Sequence, residues 1–138
     1  MGRMRGLCVA LATLILLAGC VGRTGEVRVS LGSEFSLAIG ETALVTGENL
    51  RLKFLEVTED SRCPANVLCI QAGRAVMAVQ VTYQGSSETV TLEEPGLSTP
   101  PKSIYQDYEL AFHLEPYPVA GVEVSPDQYR LLLTVNRD

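Results

Sequence analysis

From residue 26 to residue 135, apolar and polar side chains alternate in short runs. Val27, Val29 and Leu31 share one side of the first run, and Phe35, Leu37 and Ile39 share one side of the next. The same spacing returns in Leu50, Leu52 and Phe54, and in Met77, Val79, Val81 and Tyr83. Val90 and Leu92 make a shorter piece. Tyr108, Leu110, Phe112 and Leu114 make a longer one, and Tyr129, Leu131, Leu133 and Val135 close the series. Successive side chains of a strand point to opposite faces, so period-two runs bounded by Gly, Pro, Asn and Ser predict half-buried strands. Seven or eight are expected, with turn signals at 46–49 and 84–87. The runs 75–83 and 88–93 form a hairpin across Gly85-Ser86. Helical spacing is not sustained anywhere after residue 20, and at most one helical turn fits at 119–124.

Many short strands in about 110 residues predict a single all-β domain over 27–138. The expected architecture is an antiparallel β-sandwich with Greek-key-like connections, the alternative being a small barrel. Residues 94–102 break the alternation with Pro95, Gly96, Pro100 and Pro101. Proline removes ladder donors and fixes φ, so this stretch reads as an exposed, extended loop. Composition adds boundaries. With 138 residues, the chain has room for one core. At 46% apolar and 20% charged it is not a disordered chain. A net charge of −5 lacks the clustered basic footprint of a nucleic-acid binder.

The start of the chain has its own pattern. Arg3 and Arg5 precede an apolar run over residues 7–18. As a helix that run covers roughly 18 Å, short of the ~30 Å hydrocarbon core, and so reads as a secretory signal rather than a membrane span. It ends in Leu17, Ala18, Gly19 and Cys20. With its charged start and apolar run, this Leu-Ala-Gly-Cys sequence resembles the lipobox of bacterial lipoproteins. The resemblance implies a diacylglycerol on the Cys20 thiol, cleavage after residue 19 and acylation of the new amine. Such an anchor exceeds the two signals needed for stable membrane attachment. In that family a residue other than Asp after the cysteine, here Val21, points to the outer membrane of a two-membrane cell. In other cells the address is the outer face of the cell membrane. Cleavage removes two arginines and no acid, moving the net charge from −5 to −7. Anionic lipid repels such a body, so the lipid must hold it. The tether over 20–26 reaches at most about 25 Å.

Of four cysteines, Cys8 leaves with the signal segment and Cys20 takes the lipid, which leaves Cys63 and Cys69. Outside the cytoplasm two thiols six positions apart normally oxidise to a disulfide. A redox dithiol would want Cys-x-x-Cys, and a zinc site would need two further ligands in a chain with one histidine. Around these cysteines lie Asp60, Ser61, Arg62, Pro64 and Gly73. This segment resembles one found between two strands in a group of small exported bacterial β proteins. A Tyr-and-Pro region like 115–118 precedes the last strand in them. The likeness implies a shared fold and no particular activity.

The best-placed contact surface is the disulfide loop, with Asp60, Arg62, Pro64 and Asn66, and the loop 95–101 is second. A purely structural role for Asp60 and Arg62, accepting turn N–H groups and pairing with each other or with Glu59, is the competing reading. His113 alternates with Phe112 and Leu114 and is expected to face solvent. Tyr117, between Pro116 and Pro118, is expected to cover one edge of the sandwich. No cofactor or metal motif is present. The chain is therefore expected to be a lipid-anchored envelope protein acting by contact, its partners being the membrane through the anchor and an envelope protein or glycan. Two alternatives stand beside this. One is an inhibitor of an exported protease or lysozyme that inserts a loop as a wedge. The other is an enzyme on envelope glycans using two inward carboxyls about 5–10 Å apart, with the pairs Glu59-Asp60 and Glu93-Glu94 as candidates.

Overall fold

A computed structural model describes residues 25–96 and 101–138. The expected signal segment, Cys20 and residues 21–24 of the tether lie outside them, as do residues 97–100. Among the described residues, nine strands form two sheets that face each other and do not close into a barrel. The chain is an all-β sandwich. One sheet has the order β1 (Glu26–Val29), β3 (Thr42–Val45), β4 (Leu50–Asp60), β5 (Arg74–Tyr83), β6 (Ser86–Pro95). The other has the order β2 (Glu34–Ala38), β9 (Arg130–Arg137), β8 (Tyr108–Glu115), β7 (Lys102–Tyr105). All pairs are antiparallel except β1 with β3, which run parallel.

The alternating residues meet between the sheets. Leu50, Leu52 and Phe54 of β4 and Met77, Val79 and Val81 of β5 face Leu110, Phe112 and Leu114 of β8 and Leu131, Leu133 and Val135 of β9, all buried. Burying one such side chain stabilises the fold by roughly 1.5–3 kcal/mol, so the shared inner face is what holds the sheets together. The expected β5–β6 hairpin is present, with its tight turn at Gln84-Gly85 rather than Gly85-Ser86. Both turn residues have positive φ, 49° and 84°, which matches the twist of the flanking strands. The helical turn expected at 119–124 is replaced by a single turn closed by Val122 N–H to Val119 O, with a 3-10 turn following at Pro126–Gln128.

Two features of this frame prepare the loop end of the molecule. First, β4 carries two bulges, between Phe54 and Glu56 and between Val57 and Glu59. They turn Phe54, Val57 and Asp60 toward the core at three-residue spacing, opposite Val79, Met77 and Ala75. A carboxylate is thus delivered to the inner face. Second, β7 is short and pairs with β8 only as far as Ala111. The last part of β8, ending at Glu115, lies beyond the reach of β7.

Candidate functional site

The hairpin ladder between β4 and β5 continues past Asp60 through two more rungs. Ser61 N–H bonds Arg74 O and Cys63 N–H bonds Ala72 O, both at 2.8 Å. Between these rungs lies Gly73, whose φ is +67°. A Cβ there would lie 1.7 Å from Ser61 O, so only glycine fits. Beyond the rungs, residues 63–69 form a ring closed by the disulfide Cys63–Cys69, with Cα atoms 6.0 Å apart.

Beneath the ring lies Arg62, whose side chain has no exposed surface. Its Nε donates to Asp60 Oδ1 at 2.8 Å and its Nη2 to Asp60 Oδ2 at 2.7 Å, a two-pronged pair. Nη1 donates to Leu114 O at 2.7 Å and Nη2 to Pro116 O at 3.0 Å. The Tyr117 ring covers the guanidinium, 5.1 Å from Cζ to the ring centre. Burial works against this charge, but the hydrogen bonds and charge of Asp60, with the charge of Glu94, outweigh it and hold the Arg62 pKa above its ordinary value. Tyr129 donates to Asp60 Oδ2 at 3.1 Å, and burial together with the Asp60 charge pushes its phenol up.

Glu94, the other buried acid, completes the cluster. Its Oε2 lies 4.0 Å from Arg62 Nη1 and accepts Leu114 N–H at 2.7 Å. That N–H belongs to the part of β8 that β7 does not reach, and a side chain accepts it. Its Oε1 meets His113 Nδ1 at 2.5 Å. His113 is therefore half-buried and paired with a carboxylate rather than simply turned to solvent. On the outer face Arg74 pairs with Glu59 at 3.2 Å and Glu93 at 3.3 Å. Each adjacent acid pair is thus split, one member out and one in. Glu94 also departs from the expected exposed loop, being an inward residue of β6.

These positions correct the expected contact surface. Asp60 and Arg62 are interior groups that hold the loop from below, because only a paired, fully bonded arginine is tolerated at that depth. Pro64 is half-buried. Asn66 is exposed, and its Oδ1 accepts Ala120 N–H at 2.8 Å, while Ala65 N–H bonds Pro118 O at 3.0 Å. Loop 63–70 and the strap 116–122 are thereby joined into one unit. What that unit presents outward is apolar: Leu68 and Ile70 are fully exposed (104% and 105%), with Val67, Val119 and Val122 beside them. Sequence reading gives weight to the charged and special residues of this segment and passes over Leu68 and Ile70. The signal available is two large apolar residues flanking Cys69, outside any alternating run.

At the opposite end of the sandwich, Tyr83, Tyr105 and Tyr108 meet edge to face. Tyr105 donates to Glu88 and Tyr108 to Glu48, both at 2.6 Å. An open concavity of about 560 Å³ lies nearby, lined by Leu44, Glu48, Asn49, Arg51, Thr82, Gln84 and Gly85. Among the described residues no group of three or more His, Cys, Asp or Glu side chains is placed to hold a metal ion. No protein-family model, curated protein or solved structure matches this chain.

Proposed function

We propose that this protein is a non-catalytic binding module, held at the cell envelope by lipid on Cys20, whose contact surface is loop 63–70 with the strap 116–122. One observation carries the reading: Leu68, within the disulfide-closed ring, and Ile70, the residue just after it, stand free of the core. A loop already ordered loses little conformational freedom on binding, so most of the apolar area it buries goes into affinity. The buried acids support a contact role as well. Asp60 and Glu94 are the inward carboxyls, and both are engaged by Arg62 at the loop's base. An inhibitor that wedges its loop into an exported enzyme uses the same protruding surface and is the second reading.

The test is made in cells. A photoreactive side chain at position 68 is expected to cross-link an envelope component far more than the same side chain at Ser86, at the other end of the sandwich. Equal yields from the two positions would overturn the contact surface. Mass measurement of the native product reads the anchor separately: acylated Cys20 is expected, and a free thiol there would remove the envelope address.

A further inference from the structure

The exposed apolar unit lies at one end of the sandwich, and β1, the first described strand, starts on the side nearer that end. Glu26 is level with Thr42, and Thr42 with Lys53. Because β1 runs from there toward the Leu50 end of β4, the described chain begins, at Gly25, on the side of β1 that faces Asp60. From Gln80, the partner of Lys53, to Ala75, the partner of Asp60, is five residues along β5, about 17 Å. The loop projects beyond that level. Residues 20–24 span at most about 18 Å even when fully stretched. A lipid on Cys20 therefore cannot hold this sandwich upright with the loop well clear of the bilayer.

The chemistry of the surface fits that placement. No residue from 63 to 73 or from 116 to 122 is charged. Insertion there takes no ion into hydrocarbon, which is the costly step. We infer that Leu68, Ile70 and the adjoining valines dock into the lipid surface beside the anchor, giving the domain a second, non-covalent attachment and a fixed orientation. This inference rests on the envelope reading and names the partner of its contact loop. The concavity lined by Glu48, Arg51 and Gln84 then faces away from the membrane. With no cation in the unit, docking needs no anionic lipid and resists salt.

The chain contains no tryptophan, so Leu68→Trp supplies a single fluorescent reporter that also suits the membrane interface. The full chain is purified from the envelope in detergent and reconstituted into phosphatidylcholine vesicles, with Ser86→Trp as the control. Emission from the Leu68→Trp protein is expected to shift to the blue. Lipids brominated on their acyl chains should quench it several-fold more than they quench the Ser86→Trp control, at low and high salt alike. Adding Ile70→Ser to Leu68→Trp is expected to weaken that quenching. Water-like, unquenched emission from position 68 would overturn the lipid docking. So would a blue shift that rises with protein density and ignores bromine, which reports a second copy on the loop. In either case cross-linking from position 68 in cells would still decide whether the loop is a contact surface at all.

Discussion

Replacing Arg62 tests the buried base of the loop most directly. Arg62→Ala leaves Asp60, with 9% of its side chain exposed, and Glu94, with 4%, without their cation. It also strips Leu114 O and Pro116 O of their donors. Breaking a buried pair from one side costs about 3–5 kcal/mol, and a buried group left unbonded about 1–3 kcal/mol. These losses share one site and do not add in full, so about 5 kcal/mol is expected. That is comparable to the whole stability of a small domain. Arg62→Lys keeps the charge but loses the planar fork that serves Asp60 and two carbonyls together, and should cost about 2 kcal/mol. Urea unfolding with the disulfide intact, followed by far-ultraviolet circular dichroism, reads both variants. With a slope near 2 kcal/mol per molar, the midpoint should fall by roughly 1 M for Arg62→Lys, and by more than 2 M for Arg62→Ala if it folds at all. Salt should change these losses little, because the pair is out of reach of screening ions. Losses below about 1 kcal/mol in both variants would show that Arg62 behaves as an ordinary surface ion pair, and the account of the loop's rigidity would fail.

Gly73→Ala is expected to destabilise by about 3 kcal/mol or more, since the new Cβ meets Ser61 O at 1.7 Å and φ is +67°; thermal unfolding checks it, and a neutral result would contradict that close approach. Cys63→Ala with Cys69→Ala opens a seven-residue ring, and the loss of unfolded-state constraint should cost about 2 kcal/mol, measured as a reductant-dependent drop in melting temperature that the variant no longer shows. The tyrosines give a pH signature. Its hydrogen bond to Glu88 pushes Tyr105 up to about 12, and Glu48 raises Tyr108 in the same sense. A phenol raised in the fold stabilises it below the unfolded value near 10, and that contribution is lost as pH climbs through 12. Tyrosinate absorbance should therefore show a late step that Tyr105→Phe makes smaller, whereas complete ionisation near 10 would contradict the Glu88 contact.

The strands that alternation makes legible are those that present one apolar and one polar face, from Val27 to Val135. β3 and β7 escape it for different reasons. In β3, Leu44 sits between the buried Ala43 and Val45, so the segment reads as a continuous apolar patch. In β7 only four residues pair, and Ile104 points to solvent while Ser103 and Tyr105 are half-buried. Parallel pairing of β1 with β3 has no local signature. Within the site, the Asp60–Arg62 pair spans two positions, and its structural reading is available from spacing alone. The bonds that bury it are not, because Leu114 and Pro116 lie more than fifty positions away. Glu94 is hidden inside a proline-rich stretch, where composition argues for a loop and the β5 ladder imposes a strand.

The bond from Leu114 N–H to the Glu94 carboxylate bears on how this edge of β8 meets other backbones. A sheet rim with free peptide donors is a template onto which another polypeptide can zip. Here the donor of Leu114 is occupied by a carboxylate, and the acid's negative charge faces any incoming backbone carbonyl. A single side chain thereby closes this donor to any strand that would add at that position.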